Sequence, residues 1–391
     1  MQDDKDDWKE AAATMAMTYE QAHLTIAATW ASDSDCGLFA SDREPYKARK
    51  LQDHELYIHT DGPVFPPPAA VGWTEFPLLS RAWVYQERLL SSRMVHFGKD
   101  QMFWQCPTRF VAESGWTYTG DYQPPHVDPS SLNLFEVIEH PVDRWHKLVK
   151  MYSGLDLTYA SDRLPAVAAI VEREMRLRLD DVYIAGMWQK TLLSDLAWVP
   201  FNVGSVPPAR IPQIRSPTWA WPSSQVQVYW WSGSPEPSLR LVDLSYTRVG
   251  PAHIGEVTNA SILLEGHVYT IRWEKTLEQS IFVPEACMEI VPPSISDVKL
   301  HDWSTRMDFD WSTGDRPATI GDTFVVLTIS LLSERDSYIG LILREVTDGV
   351  FERMGTIAIG AVSRAGMTTP QKTQMIRDFV EELPIRQVKI I

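Results

Sequence analysis

Between residues 81 and 106 the apolar positions change from a helical to a strand spacing. Trp83, Glu87 and Leu90 stand at i, i+4 and i+7, which predicts a helix carrying an indole and a carboxylate one turn apart on one side. Ser80 is the expected N-cap, and Ser91-Ser92 ends the helix. Met94, Val95, Phe97, Met102, Phe103 and Trp104 then read as two short strands joined by a turn at Gly98-Lys99-Asp100. Upstream, Trp8, Ala11, Ala12, Met15, Tyr19 and Ala22 form one stripe behind Asp6 or Asp7 as cap, the pattern of a helix packed on a sheet. Leu24 to Ala28 reads as a buried strand.

Residues 110–141 are loop-like, interrupted by glycines and prolines. Helices are predicted for Asp143 to Met151 and for a segment opened by Ser161 with Pro165 in its first turn. In the latter, Leu164, Val167, Ala168, Val171 and Met175 share a face, and Glu172, Arg173, Glu174, Arg176 and Arg178 form the solvated side. Six prolines between Pro200 and Pro222 mark a second boundary. Beyond it Leu241 to Thr247, Ser261 to Trp273, Thr323 to Leu332, Tyr338 to Val346 and Val350 to Ile359 read as strands, with Thr347-Asp348-Gly349 as a tight turn and a late helix from Pro370 to Glu382. The expected organisation is an α/β region over 1–110, a loop and helical segment packed on it over 111–200, and a β-rich region over 201–391, α+β overall.

Length and composition, 391 residues with 44% hydrophobic and 22% charged content, are those of globular material with real cores. A formal net charge of -15 and the lack of a dense Lys/Arg cluster argue against nucleic-acid partners. No apolar run reaches bilayer-spanning length, so no membrane association is expected. The acidic start and three widely spaced cysteines point to a reducing cytoplasm. Cys36 and Cys106 lack His or Cys neighbours at ligand spacing and read as core thiols, so no metal site is expected. GxGxxG, P-loop, HExxH, CxxC and GxSxG motifs are all missing, which removes the usual nucleotide cradles, zinc proteases, redox pairs and serine hydrolases, and no cofactor is expected. Asn259-Ala260-Ser261 reads as a chance sequon. Of sixteen tryptophans, Trp219, Trp221, Trp230, Trp231, Trp273, Trp303 and Trp311 fall in the β-rich region. They either line a carbohydrate-binding surface or, at less cost, fill an interface between two layers.

Arg81-Ala82-Trp83, Gln86-Glu87-Arg88, Leu90-Ser91, Arg93 and Phe97 resemble a signature block of the fungal heterokaryon incompatibility (HET) domain, Arg-Gly-Trp-x-x-Gln-Glu-Arg-x-Leu-Ser followed by Arg-x-x-x-Phe. Asp7-Trp8, Tyr19, Ala22, Leu24 to Ala28 and Gly37-Leu38-Phe39 are similar to the block that precedes it in the family. Further similarity runs through Trp145, Tyr152, Ala185-Gly186-Met187-Trp188 and Ser216 to Trp221. The family usually opens with two strands before the Asp-Trp helix, and this chain begins at Met1-Gln2-Asp3, where the second would be finishing. The resemblance therefore implies either a fragment or a remnant whose sheet edge is covered by its own later segments or by a partner.

The HET domain is distantly similar to the TIR domain, so the resemblance implies a partial TIR-like α/β fold in residues 1–110. It also implies a role in self/non-self recognition linked to cell death, through association with partner chains or copies of itself. In enzymatically active TIR domains a Glu after a Trp at the spacing of Trp83 and Glu87 supports cleavage of the nicotinamide-ribose bond of NAD; here Glu87 would be the catalytic carboxylate and NAD the substrate. A carboxylate held on a helix can stabilise the positive charge that develops on the ribose. Equally, Glu87 can pair with Arg81, Arg88 or Arg93 and anchor the helix, while Trp83, Ser80 and Arg81 either line a ligand site or belong to the core.

Overall fold

The computed structural model describes residues 14–40, 49–50, 57–58, 76–107, 109–115, 140–201, 216–230, 236–276, 286–290, 303–308, 316–319, 321–332, 337–360 and 368–391. The chain forms two compact units, one of residues 1–140 with 155–177 and the other of residues 141–154 with 178–391.

The first unit contains residues 14–21 of helix α1, strand β1 (Thr25–Ala27), the short pair β2 (Arg49–Lys50) and β3 (Tyr57–Ile58), helix α2 (Ala82–Leu90), and strands β4 (Met94–Phe97), β5 (Met102–Cys106) and β6 (Arg109–Ala112). The chain then gives α3 (Pro141–Ser153) to the second unit and returns for α4 (Ala168–Leu177). Strand order in the main sheet is β1-β4-β5-β6, with β1 parallel to β4 and the other pairs antiparallel. The β4–β5 turn is tight at Gly98, where a Cβ would stand 2.6 Å from the Gln101 carbonyl oxygen. Alternation puts Met94 and His96, Phe103 and Gln105, and Phe110 and Ala112 on one buried face. Phe76, Leu79 and Val84 pack against Phe103, Phe110 and Ala112 there. Strand β6 lies in the stretch expected to be a loop; the strength of its pairing comes from burying Phe110 and Ala112 rather than from any sequence period.

Among the described residues the strand over Leu24 to Ala28 is an edge, not a buried centre: Leu24 is 41% and Ile26 60% exposed, and only Ala27 turns inward. Apolar composition alone does not distinguish the two positions. Helix α4 follows two 3-10 turns, Ala160–Arg163 and Pro165–Val167. Of its supposed solvated charges Glu174 is buried, as is Arg178 just beyond it, which reaches the Pro141 carbonyl, Asp181 at 3.6 Å and the face of Trp188 at 4.6 Å. The thiols of Cys36 and Cys106 are half-buried rather than core.

The second unit adds β7 (Tyr183–Ile184) and β8 (Met187–Trp188), the single-turn α5 (Leu192–Asp195), β9 (Val199–Pro200) and β10 (Val228–Tyr229). Then follow β11 (Glu236–Pro237), β12 (Arg240–Arg248), β13 (Val257–Thr276), β14 (Ala286–Ile290), β15 (Trp303–Met307), β16 (Thr323–Leu332), β17 (Ser337–Thr347), β18 (Val350–Gly360), α6 (Thr369–Glu381) and β19 (Ile385–Ile390). The 20-residue β13 pairs with β19 through its first half and β16 through its second. With β16–β17, β17–β18 and the parallel β18–β19 contact, the ladder returns on itself as a five-stranded ring. Closure of this kind removes exposed strand edges. Ile376, Phe379, Val380 and Leu383 of α6 join Ile271, Phe324, Val326, Ile342, Met354 and Ile357 in the ring's core. A capping box of Thr368 and Gln371 starts that helix.

Beside the ring, Trp145, Trp188, Trp198, Trp219 and Trp221 are fully buried. The two-residue turn Ala185-Gly186 has positive φ at both positions, the backbone of a tight hairpin. Its Gly186 carbonyl accepts the indole N–H of Trp145 at 3.2 Å and of Trp221 at 2.6 Å. A Cβ on Gly186 would lie 2.7 Å from the Trp221 Nε1. These indoles are core, so Trp219 and Trp221 form no carbohydrate platform; Trp231, Trp311 and the side chains of Trp273 and Trp303 lie outside the described residues.

Arg353 of β18 ties the ring to this layer. Its Nε donates to Asp308 Oδ2 at 2.8 Å, Nη1 to the Leu196 carbonyl at 2.8 Å and Nη2 to the Trp198 carbonyl at 2.6 Å, and the guanidinium stacks 3.4 Å over the Trp198 ring. Replacing one partner strands the other charge away from water. Arg353→Met is expected to cost about 3–5 kcal/mol in urea unfolding of the full chain, with part of the loss recovered by adding Asp308→Asn.

Candidate functional site

Helix α2 is fixed at its start by the turn Pro77–Ser80 and a bridge to residues 155–157: the Ala82 N–H donates to the Asp156 carbonyl at 2.9 Å, and the Asp156 N–H to the Ser80 carbonyl at 2.7 Å. Ser80 is not the N-cap. Its hydroxyl donates to the Pro77 carbonyl at 3.0 Å, and Arg81, extended and exposed, occupies the cap position without a side-chain bond. The preceding 3-10 turn consumes the serine that the sequence offers to the helix.

Three sides of α2 have different partners. Val84 enters the apolar core over the sheet. Leu90 packs with Ala16 of α1 and Ala169 of α4, and the Gln86 side chain accepts from the Ala169 N–H at 3.2 Å while donating to the Met15 sulfur. Trp83 and Glu87, one turn apart, occupy the flank between. The Trp83 indole donates to Asp162 Oδ2 at 3.2 Å, and the Glu87 carboxylate accepts the Tyr19 hydroxyl.

Glu87 is largely enclosed and makes no ion pair among the described residues. Arg81 acts on it only at a distance, Arg88 donates instead to Gln105 Oε1 at 2.8 Å, and Arg93 to the His23 carbonyl at 3.4 Å. Loss of solvation raises the pKa of Glu87 above 4.5 against the opposing pull of the Tyr19 hydroxyl and Arg81. The same burial, with the Glu87 charge beside it, pushes the Tyr19 phenol upward. A carboxylate shifted in this way, without a compensating cation, is the kind of group found at functional sites.

Beneath α2 lies a polar row that has no signature in the spacing of apolar residues. Arg88 only donates, so the Gln105 atom facing it is oxygen; that oxygen also meets His96 Nε2 at 3.1 Å, which must then carry the proton. His96 Nδ1 is left to accept from the Thr29 hydroxyl at 3.0 Å. Burial and the nearby Arg88 charge push His96 down to about 3, and desolvation lowers Arg88 to about 10. A fixed neutral imidazole here is a structural spacer. The alternating strand pattern, read only for apolar residues, hides such a row.

The two blocks singled out in the sequence meet pairwise. Tyr19 touches Glu87; the hydroxyls of Thr25 and Ser91 are 2.7 Å apart; Ser92 donates to the Ala22 carbonyl and Arg93 to that of His23; Phe39 meets Phe97 edge-on at 5.3 Å. Ser91 also donates to the Glu87 carbonyl, closing α2. Gly37 has φ +72, and the Trp30 indole donates to the Leu38 carbonyl at 2.9 Å, which folds the Gly-Leu-Phe segment. Asp7 and Trp8 lie outside the described residues. Among the described residues no group of His, Cys, Asp and Glu is arranged to hold a metal, and no helix is long and apolar enough to cross a membrane.

Compared with known families, residues 1–87 match the model described as heterokaryon incompatibility protein (HET). Neither curated proteins nor solved structures give a match.

Because the folded-state pKa of Glu87 is raised, its favourable contribution is complete below about pH 4.5 and is lost as pH rises through the higher folded value. Glu87→Gln keeps the shape and removes the charge. It is expected to stabilise α2 at pH 7, read as slower amide exchange over residues 82–90, with the gain shrinking as pH approaches 4.5. A gain independent of pH would show that the carboxylate carries no desolvation cost.

Proposed function

We propose, on the premise of the heterokaryon incompatibility match over residues 1–87, that the protein is a fungal self/non-self recognition factor that acts by association of its first unit and is linked to cell death. The observation that supports association is the outer edge of β1. Thr25 turns its N–H to the Arg93 carbonyl, so Ile26 directs its backbone groups outward, and no described strand pairs there. Leu24 and Ile26 are exposed beside it, and the strand has no Lys, Pro or bulge of the sort that blunts an edge. Ile26→Lys is expected to leave the fold intact, since the side chain is mostly in solvent, and to reduce association measured by light scattering. It should also weaken the growth arrest caused by expression in a fungal recipient. An unchanged mass distribution and unchanged arrest would reject this reading.

A second reading is supported by Glu87, a largely enclosed carboxylate with a phenol but no cation as direct partner, one helical turn from Trp83. In it the unit cleaves NAD, with Glu87 stabilising the positive charge on the ribose as nicotinamide leaves. Purified protein at high concentration should then consume NAD, and Glu87→Ala should abolish the consumption. Equal rates for the two would dismiss the enzyme.

A further inference from the structure

The side of α2 that carries Glu87 is assembled by packing rather than by ion pairing. Leu90 stands at i+3 from Glu87, so the apolar cluster that Leu90 forms with Ala16 and Ala169 seats the Tyr19 ring within one helical turn of the carboxylate. The hydroxyl of that ring then donates to Glu87. The main chain is fixed at the same point. The Ser91 N–H and hydroxyl both donate to the Glu87 carbonyl, at 3.2 and 2.7 Å, and the Ser91 hydroxyl lies 2.7 Å from that of Thr25 on β1. Arg88 and Arg93, the guanidinium groups that follow in sequence, are committed to the Gln105 side chain and the His23 carbonyl. Arg81 acts on the carboxylate from a distance.

From this arrangement we propose that Tyr19 is a positioning residue for Glu87: a neutral phenol that fixes the carboxylate on the flank beside Trp83 and supports its charge without cancelling it. The proposal rests on the reading in which Glu87 acts on a ligand that gains positive charge. Its logic is electrostatic. A hydrogen bond to the ionised form offsets part of the desolvation that raises the Glu87 pKa. A guanidinium in the same place would do so too, but it would oppose the attraction felt by a developing cation, which is strong in a poorly solvated site. The donor is also permanent: burial, with the Glu87 charge beside it, raises the Tyr19 pKa, so the phenol keeps its proton throughout the neutral range. The groups that face Glu87 are Tyr19 from α1 and, farther off, Arg81 before α2; Glu20 on α1 is turned to Arg176 of α4 at 3.4 Å.

Titration of the Glu87 side-chain carboxyl by carbon NMR in the full-length chain, without NAD, tests the role, with Glu87→Gln identifying the signal. Tyr19→Phe keeps the ring and removes the donor, so the midpoint should rise and the ionised fraction at the wild-type midpoint should fall severalfold. Arg81→Gln should shift the midpoint in the same direction but less. Where wild type consumes NAD, the acidic limb of its pH–rate profile should move upward in Tyr19→Phe by the same interval, with the two rates converging at high pH. Amide protection of β4 and β5 serves as the control for folding. An unchanged midpoint, or a larger shift from Arg81→Gln, overturns the proposal. So does a rate loss of equal factor at every pH, which marks a ring that only supports the fold. A wild type that leaves NAD intact while the midpoints keep this order dismisses cleavage and retains the role of the phenol; midpoints out of order in a protein that consumes NAD do the reverse.

Discussion

A guanidinium taken out of water must have its N–H groups matched by acceptors, and this requirement organises each unit. In the second, Arg353 finds a carboxylate and two main-chain carbonyls from the segment around Trp198, so the barrel wall and the tryptophan layer can be assembled in one relative position only. In the first, Arg88 fixes the orientation of Gln105, which fixes the tautomer of His96, which fixes Thr29 at the end of β1. A chain of single possibilities running from helix to edge strand sets where α2 lies on the sheet. Glu87, one residue before Arg88, is then placed by a neighbour that does not touch it.

That adjacency explains why the acid is without a cation. Gln-Glu-Arg offers a ready internal pair in sequence, yet the helix sends the two charges in different directions, Arg88 toward the strands and Glu87 toward α1. The block containing them makes physical sense as half of a zipper whose other half is residues 19–39. Main-chain carbonyls at 22 and 23, the hydroxyl at 25 and the ring at 39 each have a counterpart between 91 and 97. The Ala-Gly-Met-Trp and Thr-Trp-Ala-Trp segments of the second unit work alike, meeting at one glycine carbonyl that serves two indoles.

Much of this was legible in the chain. Local periods gave α2, the β4–β5 hairpin, α3, α6 and the long strands within a few residues, because each element's partner face is written in its own spacing. The Trp83 to Glu87 spacing likewise located the flank on which the candidate site stands. What escaped depends on distant pairing. Strands β6 and β19 are short and unremarkable until a neighbour buries Phe110 or Val388. Edge and centre look alike in Leu24 to Ala28. Tyr19 was visible as part of a stripe, but its hydroxyl end, which reaches Glu87, has no signature in periodicity, and neither does Asp162 beneath the Trp83 indole.

The path of the chain between its two units has a consequence for synthesis. The polypeptide leaves the first unit before residue 141, lays down α3 in the second, returns through 155–177 and only then commits to the rest. Neither body is a contiguous piece, so no single cut frees either one intact. On the ribosome the α1–α2–α4 contact stays unfinished until residue 177 has emerged, by which time α3 is already waiting for tryptophans not yet translated. Maturation of the two bodies is interleaved rather than sequential, and each spends part of its birth as a scaffold with a seat left empty for a later segment of its own.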